Sequence, residues 1–207
     1  CYLLEHCGKA FGPKLSEKIV AIAGMKLNEA NPMVKAWAEA FTRIVVYPSR
    51  SLSAITDPEE LEKETAKSRA INMASMRALD KCKKEGKAVL VFPSGTRYRP
   101  GHSETRQGLR EIDSYLRLFD VMILVSINGS CLRINTEAPE DMLADLVCQD
   151  TVIMSASPVI ECKKFRDDIM SSLPDSMEDK KPAVVQKIMD MLKEQHDAQQ
   201  SAYLQAY

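Results

Sequence analysis

Residues 91–100 read "VFPSGTRYRP": an apolar run ends in a small turn, and two arginines follow with one residue between them. Arg97 and Arg99 are permanent cations, and their planar forks match the oxygens of a phosphate. In extended chain, positions i and i+2 point to the same side, so both guanidinium groups are expected to face one anion. The turn before them holds Ser94, Gly95 and Thr96. Hydroxyls and amides in a tight turn at a strand end can cradle an anion, and the same residues also suffice for turn formation alone. A second strand end is followed by a cation in "IVVYPSR", where Arg50 comes after Pro48 and Ser49. The candidate phosphate ligands are therefore Arg97, Arg99 and Arg50, with Ser94, Gly95 and Thr96 as the cradle.

The elements that would position these residues alternate in type. Apolar runs predict strands over 19–23, 44–47, 88–92 and 121–127, with a last one over 152–154. Asn31 and Pro32 open a helix through Met33, Trp37 and Phe41. Asp57, Pro58, Glu59 and Glu60 give a helix start with a capping carboxylate, proline at the first helical position and acids in the first turn. That helix is expected to run to Lys84, with Ala66, Ala70, Met73, Ala74 and Leu79 as its apolar face and Gly86 as its stop. Further helices are expected over 107–118 and 139–147. A charged helical stretch follows Pro158, then a loop over 171–182 and a C-terminal helical segment over 183–207, amphipathic through residue 192. The pattern implies an α/β fold with a mixed, largely parallel sheet flanked by helices. In such sheets ligands gather at the carboxyl ends of the strands, where Arg50 and Arg97 would share one pocket.

Composition limits the function classes. The chain has 207 residues, 45% of them hydrophobic and 28% charged, enough for a single domain spanning 1–207. Lysine plus arginine (28) nearly balances aspartate plus glutamate (29), which argues against nucleic acid as a partner. The longest charge-free stretch, "VMILVSINGSCL" at 121–132, is too short to cross a bilayer as a helix. Six scattered cysteines lack any C-x-x-C pair, so neither a zinc site nor a disulfide framework is expected, and reduced thiols in a cytoplasmic setting fit. His102 reads as a solvated loop histidine. Met73 and Met76 read as core, although thioethers would also suit a lipid tail. Lys81, Lys83, Lys84 and Lys87 read as a solvated helix end, and an acidic carrier protein could dock on the same cluster.

The block "FPSGTRYRP" resembles the phosphate-binding block of the glycerolipid acyltransferases, the glycerol-3-phosphate and lysophosphatidate acyltransferases, whose usual form is F-P-E-G-T-R. Ser94 and the R-x-R-P ending make it most similar to the soluble plastid type of glycerol-3-phosphate acyltransferase, with P-S-G-G-R-x-R-P; Thr96 departs from that glycine. "IVAIAG" at 19–24 resembles a family strand ending in V-A-G, and "NPMVKAWAEAFTRIVVYPSRS" resembles its second block. A Lys-His pair that touches substrate phosphate follows that block in the plastid type. Arg50 and Ser51 stand at the matching positions, so the cation is kept and the histidine is not. The resemblance covers about residues 1–160 through several blocks in the family's order.

The resemblance implies an acyltransferase fold and the transfer of a fatty acyl group to glycerol 3-phosphate in phospholipid biosynthesis. The donor would be acyl-carrier protein or acyl-coenzyme A. It implies no metal or other cofactor, and a cytoplasmic protein with peripheral membrane contact. The family's catalytic H-x-x-x-x-D pairs a histidine base with an orienting aspartate. Here His6, His102 and His196 are followed at that spacing by Phe11, Gln107 and Ser201. The family motif precedes an "LLE"-like helix, and "YLLE" is residues 2–5, so the dyad is expected upstream of Cys1 and the chain is read as N-terminally truncated. Two alternatives remain at this stage. One is transfer to lysophosphatidate, and the other is a non-catalytic module that binds a phospholipid or phosphometabolite.

Overall fold

A computed structural model of the chain describes residues 16–25, 42–48, 51–52, 55–99, 101–139, 141 and 144–206. The expected helix through Met33, Trp37 and Phe41 lies outside these residues, as do Arg50 and His6. The fold is mixed α/β with small sheets, partly parallel. The chain falls into two compact units, Cys1–Arg97 and Tyr98–Tyr207.

In the first unit, β1 (Ile19–Gly24), β2 (Arg43–Val46) and β3 (Ala88–Leu90) form a parallel sheet in the order β2-β1-β3. Ile22 pairs with Ile44 and Val20 with Val89, which places β1 in the centre. Three parallel strands put their carboxyl ends at one edge, where Gly24 lies so close to Pro48 that an added Cβ would sit 3.3 Å from the proline ring. α1 (Pro58–Lys84) crosses over from β2 to β3. It starts as its sequence dictates: the Asp57 carboxylate accepts from Glu60 N, and Pro58 occupies the first turn. It stops with equal definition. Gly86, at φ 64°, donates its N–H to Lys83 O while Lys87 N donates to Cys82 O, the paired bonds of a Schellman cap.

The face that α1 buries differs from the expected one. Of the expected residues Leu79 is buried, whereas Ala66, Ala70, Met73 and Ala74 are exposed and Ser68 and Ser75 are buried in their place. The inward face is rotated onto small polar side chains that find partners, Ser75 on β2 and Ser68 by accepting from Asn72 Nδ2. Ser75 Oγ is 2.6 Å from Val45 O and 2.8 Å from Ile71 O. A buried hydroxyl so paired avoids the desolvation cost that an apolar-face count assumes.

The second unit is built on one broken antiparallel hairpin. β4 (Val121–Met122) pairs with β9 (Ile160–Glu161), β5 (Val125–Asn128) with β8 (Ile153–Ala156), and β6 (Leu132–Arg133) with β7 (Leu146–Val147). Between the Met122–Ile160 and Val125–Ala156 pairs one side advances three residues and the other four, a bulge that breaks the expected strand over 121–127 in two. Among the described residues the parallel pairing is thus confined to the first unit. The expected strand over 152–154 is β8, displaced by a residue or two, and β9 follows it.

Two expected helices are corrected. Over 107–118 only α2 (Ile112–Leu118) is α-helical, preceded by a 3-10 turn at Ser103–Arg106. Gly108 packs against Val185, where an added Cβ would lie 2.3 Å from a methyl group, so the approach there is made by bare backbone. Over 139–147 no described residue is helical, and Leu146 and Val147 form β7 instead. Two helices close the chain, α3 (Cys162–Ser172) and α4 (Lys181–Ala206). α4 is longer than its amphipathic stretch, and Val184, Val185 and Ile188 join Ile112, Leu116, Leu124 and Cys162 as the buried apolar residues of this unit.

Candidate functional site

In the first unit β3 delivers the chain to a turn in which Gly95 N donates to Phe92 O at 2.9 Å, with Pro93 second and Gly95, at φ 66°, last. Ser94 Oγ donates to Thr96 O at 2.8 Å, so its hydroxyl proton is held by the turn. Thr96 is half-buried and Arg97 is exposed. The turn and Arg97 therefore follow the carboxyl end of a parallel strand, the edge where α/β sheets collect ligands.

A polar clamp fixes the end of β2, on the other side of β1. Tyr47 N donates to Asn72 Oδ1 at 2.9 Å, and Asn72 Nδ2 donates to Tyr47 O at 3.0 Å. The carboxamide thus supplies to the outer edge of the sheet both bonds that another strand would give. The buried Tyr47 ring sends its hydroxyl to Glu64 Oε2 at 2.6 Å. That bond holds the Glu64 carboxyl below its usual range; partial burial opposes it and Lys67 adds to it. Beyond Pro48, Ser51 N returns to Pro48 O.

Arg99 belongs to the second unit and has a different environment from Arg97. It is only 8% exposed, and its NH2 meets Asp145 Oδ1 at 3.0 Å. Its NH1 is buried with no hydrogen-bond partner. The Arg99 N–H donates to Thr105 Oγ1, Thr105 Oγ1 donates to His102 O, and His102 N donates to Arg99 O. Gly101, at φ 87°, supplies the left-handed residue of this turn. The Arg106 guanidinium lies 3.9 Å from the Tyr98 ring centroid, a cation–π contact. Sequence reasoning missed Asp145 because it lies in the segment read as a helix, 46 residues from Arg99.

Other singled-out residues settle into local pairs. His102 Nδ1 lies 3.0 Å from Glu104 Oε1 at an accessible position. Lys84 pairs with Asp80, Lys81 with Glu85, and Lys87 Nζ donates to Glu17 O. Met73, expected in the core, is 57% exposed. In the second unit a cavity of about 730 Å³ is lined in part by Arg117, Lys163 and Arg166, but both arginines turn to the fully buried Asp113, Arg166 Nε at 2.7 Å and Arg117 Nε at 3.4 Å. Its lining includes none of the motif residues. Tyr115 on α2 is pushed up to about 12 by burial, with Glu111 adding to the shift.

Among the described residues, no helix is long and apolar enough to cross a membrane. No protein-family model matches the chain, and no curated protein matches it.

Proposed function

We propose that this chain carries the acceptor-binding part of a glycerol-3-phosphate O-acyltransferase. The observation that supports the reading is the exposed Arg97 directly after the Pro93–Thr96 turn, at the carboxyl end of a strand in a parallel sheet. In this reading Arg97 takes the phosphate oxygens, and amides of the turn assist. Arg50 joins on the strength of the sequence resemblance. Arg99 has its charge balanced by Asp145, so it acts first by fixing its own turn.

Neutralising the phosphate would hold the glycerol in place, so that attack of its hydroxyl on an acyl thioester becomes effectively intramolecular. The hydroxyl loses its proton to a histidine base, the C–O bond forms, and the thiol of carrier protein or coenzyme A leaves. Transfer to lysophosphatidate would use the same phosphate contacts and differ only in the groove for the first acyl chain.

Steady-state kinetics of the full-length protein test the proposal. Arg97→Ala should reduce kcat/KM for glycerol 3-phosphate at least about tenfold, since a charge-assisted bond contributes roughly 1.5–3 kcal/mol, and should leave KM for the acyl donor unchanged. Equal kinetics for both proteins would remove Arg97 from the site.

A further inference from the structure

The pairing of β6 with β7 brings two cysteines together that lie 17 positions apart in the sequence. Leu132 faces Val147 and Arg133 faces Leu146, and the next pair outward in that register is Cys131 opposite Cys148. Cys148 N donates to Cys131 O at 2.9 Å, so one backbone bond ties the two residues together just beyond the paired strands. Directly opposed residues of a hydrogen-bonded antiparallel pair have Cα atoms about 5.5 Å apart, inside the roughly 4.4–6.8 Å that a disulfide spans. Cys131 is exposed, Cys148 is partly so, and both are free thiols. Cys162 of the same unit is buried.

We propose that Cys131 and Cys148 are a modification site, a dithiol that closes to a reversible disulfide across the hairpin. The oxidant required is a small-molecule disulfide such as glutathione disulfide. The Cys131 thiolate, the more exposed, attacks one glutathione sulfur, forming a mixed disulfide and releasing one glutathione thiolate. The Cys148 thiolate then attacks the Cys131 sulfur; the Cys131–Cys148 bond forms and the second glutathione leaves. The protein gives up two electrons and two protons, and the glutathione disulfide takes them up. Bonds at hydrogen-bonded cross-strand positions hold their side chains further apart than at the neighbouring non-bonded positions, which favours easy reduction. The loop so closed contains Asp145, the partner of Arg99, and oxidation would tie down the strand that presents this carboxylate.

The test treats the whole chain with glutathione disulfide, alkylates the remaining thiols, and maps proteolytic fragments by mass spectrometry. The expected product joins the fragments of Cys131 and Cys148, and dithiothreitol restores both thiols. In Cys148→Ser, Cys131 should stop at the glutathione adduct. Recovery of both cysteines as separate adducts or alkylated thiols in the unmodified sequence, linkage of either to another cysteine, or a bond that dithiothreitol leaves intact would overturn the proposal.

Discussion

Arg99 and Asp145 form the pair on which the second unit's motif residues depend, and their burial decides what a mutation there does. With side chains 9% and 4% exposed, removal of one partner leaves a charge with little water to solvate it. Asp145→Ala should destabilise by about 3–5 kcal/mol, whereas Arg99→Met combined with Asp145→Leu should be close to neutral, because the desolvation of both charges disappears with them. Urea unfolding of the three proteins distinguishes these outcomes; equal stability of Asp145→Ala and the parent chain would mean that the pair is solvated. Glu64 offers a test by pH. Its folded-state pKa is depressed, first by the Tyr47 hydroxyl, so its contribution is present above the unfolded carboxylate value and is lost as pH falls through the folded one. Tyr47→Phe should be less stable than the parent at neutral pH, and the gap should narrow in acid. A gap that stayed constant with pH would assign the loss to packing.

Among the elements, α1 was the most legible in its ends and the least in its orientation. Asp57, Pro58 and Gly86 mark its limits through local backbone chemistry, which needs no knowledge of the rest of the fold. Its buried face is set by Val45 and Tyr47, whose backbone groups bond Ser75 and Asn72 where alanine would offer no partner, and a count of apolar spacing cannot register that. Asn72→Asp keeps the acceptor for Tyr47 N but loses the donor to Tyr47 O, and should cost roughly 1–3 kcal/mol by removing that half-buried bond. Gly86→Ala isolates the backbone term, because nothing lies within 4 Å of the added methyl. It should cost about 1–2 kcal/mol, the penalty of the left-handed region for a residue with a Cβ. Thermal unfolding checks both. The segment 139–147 was misread for a related reason: its spacing suits a helix, but Leu146 and Val147 find Arg133 and Leu132 of β6 as partners across the hairpin.

For the molecule as a whole, the sequence led to a mixed α/β fold and to the turn at the end of β3, because a buried strand and its turn residues are encoded side by side. It did not lead to the hairpin pairings of the second unit or to Asp145, because those contacts join residues far apart in the chain and leave no local pattern. The same distinction bears on function. The Pro93–Arg97 segment rests on local chemistry, whereas the participation of Arg50 rests on the resemblance. Lacking a histidine with an aspartate five residues on, residues 1–207 should bind acceptor without turning it over, as an acyl-transfer assay on the chain would show. The most direct measurement is calorimetric titration of this chain with glycerol 3-phosphate and, in parallel, with glycerol. Binding of the phosphate ester, no heat from glycerol, and at least about a tenfold weakening in Arg97→Ala are the expected results. Equal affinity of Arg97→Ala and the parent chain, or no binding of glycerol 3-phosphate to either, would contradict the phosphate site.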